Sequence, residues 1–91
     1  MPTYTDHEKT LYLNQARRKV RDIGRVSRPY IDRAEEHARA YAEALADVGA
    51  ITATERETLN DEANDAAQAR VRAFKAAEDA VPAADENQLV R

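Results

Sequence analysis

The chain of 91 residues contains no cysteine, no tryptophan, two glycines, three prolines and only five aromatic residues. Without cysteine it has neither disulfides nor thiolate metal sites. No apolar run approaches the roughly 20 residues of a membrane span. The first residues, MPTYTD, lack the pattern of a signal peptide. We therefore expect no membrane segment and a cytoplasmic location.

Large apolar side chains are also scarce, because 19 of the 39 apolar residues are alanine. A chain of this length makes one domain with a single core of marginal stability. Burial stabilises by roughly 25 cal/mol per Å² of apolar surface, and alanine supplies little of that surface. Self-association would add burial. Eleven arginines against three lysines, with so much alanine, indicate a GC-rich genome and a bacterial or phage origin.

A stripe of apolar and small residues keeps helical phase over 36 positions. Its members recur at spacings of three and four, which keeps them on one face of a helix. They are Leu13, Ala16, Val20, Ile23, Ser27, Tyr30, Ala34, Ala38, Tyr41, Leu45 and Val48. The pattern predicts one long helix or two helices in line.

The first helix is predicted to begin near Asp6, because Thr5 and Glu8 have the spacing of a capping box. Pro29 then interrupts the pattern, since proline lacks a donor and collides with the preceding turn. Either Ser27 or Arg28 caps a new helix with Pro29 in its first turn, or one helix bends there. The unbroken phase favours a kink or tight break over a reversal of the chain.

A helical hairpin is predicted at Gly49, which suits the left-handed position after a helix. Thr52 and Glu55 form a second capping box, so the returning helix starts near Ala53. Pro82 is expected to end that helix. The domain then covers residues 1–81, with residues 82–91 as a flexible tail.

The turn GAITATE at residues 49–55 resembles the short helical hairpin of the SHOCT family, whose turn reads approximately G-x-I-T-x-x-E. With its flanking helices the similar segment covers residues 43–66. Arg56 stands where that family usually has an aromatic residue. The resemblance implies a small interaction or oligomerisation element without catalytic residues.

The predicted fold is all-α, either an elongated antiparallel helical hairpin or a three-helix bundle, with a kink or break near Pro29. A returning helix of about 28 residues spans about 42 Å, whereas a kinked first arm of about 43 residues spans about 65 Å. Tyr12, Leu13 and Ala16 would then face water unless the first helix folds back or a second chain covers them. We take this mismatch as the argument for a homodimer or higher oligomer.

Charge is distributed unevenly along the chain, with +4 over residues 1–33 and −7 over residues 34–91. Four arginines fall within about 80° of one another on an ideal helix. They are Arg17, Arg21, Arg25 and Arg28. This arginine stripe is either a phosphate-binding surface for RNA or DNA, or a solvated or intersubunit face.

An acidic stripe lies nearly opposite the apolar side of the last helix. It consists of Glu57, Asp61 and Asp65, with Glu62 beside it. It either docks to a basic partner or keeps the helix soluble. No turn gathers oxygen ligands around a cation, so we predict no metal site there.

Arg70 is placed by helical phase at the centre of the apolar side of the last helix, where an unpaired charge is costly. We expect it to extend outward with its stem covering the core, or to lie in a subunit interface that faces an aspartate or glutamate. His7 and His37 have no partners at ligand spacing. Because the chain also lacks a phosphate loop and a nucleophile elbow, we predict no enzyme and no cofactor.

The predicted function is a small non-enzymatic protein-interaction module, such as a phage or mobile-element inhibitor or adaptor of a host assembly. Its partner-binding residues are the arginine and acidic stripes, and its oligomer interface comprises Tyr12, Leu13, Ala16, Arg70 and Ala73. Two alternatives remain open. One is a nucleic-acid-binding regulator that uses the arginine stripe, and the other is a structural oligomerisation element.

Overall fold

The computed structural model describes the backbone of residues 3–89 and the side chains of residues 3–80. Three α-helices cover most of this range: α1 (Asp6–Asp22), α2 (Ile31–Asp47) and α3 (Ala53–Leu89). Two 3₁₀ turns, Ile23–Arg25 and Arg28–Tyr30, connect α1 to α2. The predicted all-α fold is confirmed. Within the described backbone, no helix is both long enough and apolar enough to span a membrane.

The predicted capping box opens α1. The backbone N–H of Glu8 donates to the Thr5 hydroxyl at 3.1 Å, and the Thr5 N–H donates to the Glu8 carboxylate at 2.9 Å. These two bonds satisfy amides that the first turn would otherwise leave unpaired. The predicted start of the helix at Asp6 is confirmed.

The chain reverses direction between α1 and α2, so the predicted near-collinear arrangement is wrong. Val26 and Ser27 adopt extended backbone angles, with ψ of 158° and 155°. Ser27 occupies the N-cap position of the 3₁₀ turn that contains Pro29, but its side chain makes no capping hydrogen bond. The helix α2 itself begins at Ile31 with Tyr30 as its N-cap, so the prediction that Ser27 or Arg28 caps the new helix holds only for the short turn. Two extended residues are enough to turn the second helix back along the first.

Side-chain contacts show that α1 and α2 are antiparallel. The Tyr41 hydroxyl donates to the Gln15 side-chain oxygen at 2.7 Å. One turn further along α1, the Lys19 ammonium lies 3.3 Å from Nε2 of His37 and 4.7 Å from the centre of the Tyr41 ring. The residue numbers rise along one helix as they fall along the other.

The hairpin between α2 and α3 forms as predicted. Gly49 has a φ of 77°. The N–H of Ala50 donates to the carbonyl of Leu45 at 2.8 Å, and the N–H of Gly49 donates to the carbonyl of Ala46 at 3.0 Å. This pair of bonds is a Schellman motif, which satisfies the last carbonyls of α2. The Thr52 and Glu55 capping box then starts α3, with bonds of 2.8 and 3.0 Å.

The core of this up-down-up three-helix bundle is built from small side chains. Twelve apolar residues are buried among those described, and half of them are alanine. They are Ala16, Val20, Ile23, Ile31, Ala38, Ala42, Leu45, Ala50, Ile51, Leu59, Ala63 and Ala67. Because α1 folds back as the third member of the bundle, Ala16 is only 1% exposed. The first arm is therefore not a single extended rod that outreaches the returning helix, and this reason for expecting a second chain no longer applies.

The third helix is much longer than the other two and continues past Pro82 to Leu89. The helix therefore does not end at Pro82, where the sequence predicts its end. Proline removes one backbone hydrogen bond at a cost of about 3 kcal/mol, and the alanines on both sides of it favour helix. The predicted flexible tail, residues 82–91, consists of residues whose side chains lie outside the described part.

Candidate functional site

The arginine stripe is divided by the end of α1 at Asp22. Arg17 and Arg21 lie on α1 and are exposed. Arg25 lies in the following 3₁₀ turn, where it is 3.9 Å from Asp22. Arg28 lies beyond the reversal and forms an ion pair with Glu78 of α3. The helical projection that aligned all four residues fails because the helix does not extend that far.

Arg17 and Arg21 face a groove between α1 and α3, here called the α1/α3 groove. These two helices run parallel, because the groove passes from Leu13 and Leu59 at one end to Gly24 and Arg70 at the other. The wider part holds about 500 Å³. Its neighbouring part, beside Arg17, holds about 420 Å³.

The floor of the α1/α3 groove is apolar and the opposite wall is acidic. The floor residues are Val20, Ala66, Ala69 and Ala73. Glu62 and Asp65 of α3 line the groove across from Arg21. Within the described side chains, neither Arg17 nor Arg21 forms an ion pair. Both arginines are therefore free to pair with groups outside the chain.

The acidic stripe is also divided by the fold. Asp65 lines the α1/α3 groove together with Glu62, the residue that the sequence placed beside the stripe. Glu57 and Asp61 are exposed and, by helical phase, lie on the side of α3 that faces away from α1 and α2. The seven predicted partner-binding residues thus contribute three members to the groove.

Of the predicted oligomer-interface residues, Ala73 is exposed and lies on the groove floor. Tyr12 and Leu13 are half-buried against the core, and the Tyr12 ring meets Tyr4 edge-to-face at 5.5 Å. Ala16 is covered within one chain, so it offers no surface to a second one.

Arg70 makes its contacts within the chain. Its Nε donates to the carbonyl oxygen of Val26 at 3.1 Å, and its guanidinium lies 4.3 Å from the centre of the Phe74 ring. The sequence indicated that Arg70 is unusual, because helical phase places its charge on the apolar side of α3. The sequence could not identify the hydrogen-bond partner of Arg70, because every residue has a backbone carbonyl and no residue type marks the one that is used.

The two histidines lie apart. His7 is exposed on the first turn of α1, and His37 contacts Lys19. Over the described side chains, no group of three or more histidine, aspartate or glutamate residues is placed to hold a metal ion. The α1/α3 groove is the place where predicted functional residues from two helices meet.

Comparisons with protein-family models, with curated proteins and with solved structures find no match to this chain. The resemblance of residues 43–66 to a SHOCT-type hairpin therefore stays a prediction.

Proposed function

We propose that this chain is a small, non-enzymatic protein-interaction module that binds its partner in the α1/α3 groove. One observation carries the proposal: Arg21 on one wall and Glu62 and Asp65 on the other border an open floor of small apolar residues. A polypeptide segment with an apolar face and charges of both signs complements such a groove.

A protein partner fits this groove better than a nucleic acid does. A phosphate-binding surface gains affinity from arginines that present an unbroken positive potential. Here Glu62 borders the same stretch of groove as Arg17 and Arg21, so phosphates would approach a carboxylate as well. Arg28 is occupied by Glu78. The mixed charge therefore favours protein recognition.

An inhibitor or adaptor of a larger assembly would have a second surface available. Glu57 and Asp61 lie outside the groove and are exposed. They offer an acidic face to a basic partner while the groove is occupied. The bacterial or phage setting of such an adaptor rests on the arginine and alanine content of the chain.

The proposal is tested with a photo-crosslinking amino acid placed at Ala69, on the groove floor, in cells that express the chain. The matched control carries the same amino acid at Ala40, an exposed alanine of α2 outside the groove. We expect protein adducts from position 69 and few from position 40. Absence of adducts at position 69, or equal adducts at both positions, would contradict the proposal.

A further inference from the structure

We propose that the α1/α3 groove binds the same groove of a second copy, forming a two-fold dimer whose axis runs parallel to the helices. This inference rests on the proposed function, because it names the partner of the groove. In the dimer, α1 of each protomer packs against α3 of the other.

The α1/α3 groove is complementary to its own copy in charge. A two-fold interface presents the same patch from both protomers, so each patch must complement itself. The α1/α3 groove meets this condition, since Arg17 and Arg21 line the α1 wall and Glu62 and Asp65 line the α3 wall. A patch of one charge sign would repel its own copy.

The direction of the helices determines which two-fold axis pairs the opposite charges. Because α1 and α3 run parallel, a two-fold axis parallel to them exchanges the two walls and leaves every residue at its own height. Arg21 and Asp65 line the same part of the groove, on opposite walls. The rotation therefore brings Arg21 to the acidic wall of the second copy, close to the partner's Asp65. A two-fold axis across the helices would instead place α1 on α1, with arginine facing arginine.

The floor of the groove consists of small side chains. Ala66, Ala69 and Ala73 have side chains short enough to let helices of two protomers approach closely. On the same face of α3, Ala76 and Ala80 are also exposed. The small-residue surface therefore continues beyond the end of α1.

The size of the surface predicts a reversible dimer. The 17 residues of α1 span about 26 Å, and two adjacent helices are about 20 Å wide, which gives a face of about 500 Å² on each protomer. Stable dimers typically bury about 800 Å² per partner. We therefore expect dissociation on dilution.

Sedimentation velocity on the full chain, at concentrations from about 1 µM to 1 mM, tests the dimer. This range brackets the dissociation constants expected for interfaces of this size. Wild-type protein is expected to pass from monomer to dimer. Arg21→Glu and Asp65→Arg each set like charges against each other across the interface. Each is expected to weaken the dimer by more than about tenfold.

Mixing the two variants provides the decisive measurement. In the mixed dimer, the introduced glutamate faces the introduced arginine, and the remaining Arg21 faces the remaining Asp65. We expect heterodimers in the mixture although each variant alone is monomeric. An interaction between residues 21 and 65 of the same chain cannot produce this result, because each variant still carries like charges at those two positions.

Arg18→Glu and Asp61→Arg are the matched controls, since they make the same charge changes on α1 and α3 outside the groove. Both are expected to dimerise like the wild type, and circular dichroism checks that every variant is folded. Ala69→Arg, which blocks the floor, gives a second route to a monomer.

Three outcomes would overturn the dimer: monomeric wild-type protein at every concentration, a mixture that stays monomeric, or control variants that dissociate equally. Failure of the dimer is distinguishable from failure of the proposed function. Adducts between position 69 and another protein, with a monomeric wild type, would keep the function and exclude the second copy as partner.

Discussion

Arg70 donates from Nε to the carbonyl oxygen of Val26 at 3.1 Å, which joins α3 to the connection where the chain reverses. The same guanidinium stacks 4.3 Å from the centre of the Phe74 ring. Both contacts satisfy a charge that helical phase places on the apolar side of α3. Arg70 therefore stabilises the packing of the α1–α2 connection against α3.

Replacing Arg70 with methionine is expected to destabilise the protein by about 1–2 kcal/mol, because methionine keeps the apolar stem but loses the charged donor. Urea denaturation followed by circular dichroism measures the free energy of unfolding. Arg72→Met, at an exposed neighbouring position, is the control and should change that free energy by less than about 0.5 kcal/mol. Equal effects of the two substitutions would contradict the assigned role.

The two glycines are expected to respond to alanine with opposite signs. Gly49 has a φ of 77°, so alanine there should cost about 1–2 kcal/mol. A methyl group added at Gly24 would meet no atom within 4 Å, and the φ of Gly24 is not positive. Gly24→Ala should therefore stabilise by about 0.4–1 kcal/mol. Thermal unfolding at low protein concentration compares the two, and destabilisation by both would refute the second expectation.

Ile23 is the largest fully buried side chain among those described, at 0% exposure. Ile23→Ala should destabilise by about 2–5 kcal/mol, because the helices around it cannot fully close the resulting space. Leu11 is 49% exposed and serves as the control, with an expected change below about 0.5 kcal/mol. Urea midpoints compare the two variants. A similar loss of stability in both variants would contradict the assignment of Ile23 to the core.

Acid should open the first turn of α1. The pKa of Glu8 lies below its ordinary value of 4.5, chiefly because of the hydrogen bond with the backbone of Thr5 and secondly because of the hydrogen bond with the Thr5 side chain. Because the folded-state pKa is depressed, the contribution of Glu8 is complete above pH 4.5 and is lost as the pH falls through the folded-state pKa. The amide chemical shift of Thr5 should report this titration by NMR. Glu8→Gln should remove it, and a titration at the ordinary pKa would contradict the capping interaction.

Nucleic acid is expected to bind weakly. Fluorescence anisotropy with mixed-sequence RNA and DNA should show little binding at physiological salt, because carboxylates border the free arginines. Tight binding that weakens steeply with salt and disappears in an Arg17→Glu, Arg21→Glu double variant would instead support the regulator hypothesis.

Local signals in the sequence predicted local structure well. Thr5 with Glu8 and Thr52 with Glu55 marked the starts of two helices, and Gly49 marked the end of another. Each signal depends on hydrogen bonds between residues close in sequence, so the residues themselves contain the information.

The path of the chain between α1 and α2 could not be obtained in the same way. Apolar periodicity continued through Ser27 because a short turn happened to preserve the spacing. Periodicity records which residues are buried, and it does not record the direction of the next helix. The extended angles of Val26 and Ser27 reverse the chain without altering the pattern.

Three residues of the groove were predicted from the sequence, but the groove itself was not, for the same reason. Arg21 and Asp65 were identified on separate helices, but their common groove depends on α1 lying parallel to α3. That orientation follows from the reversal. The Arg28 and Glu78 ion pair also depends on it.

The alanine-rich interior restricts how this sequence can change over time. Ala42 and Ala63 are both 0% exposed, so we expect a larger side chain at either position to overpack the core and destabilise the fold. A leucine-rich bundle drifts among leucine, isoleucine and methionine with little penalty. At Ala42 and Ala63 each of those three side chains would overpack the core, so we expect most neutral variation on the outward faces of the helices.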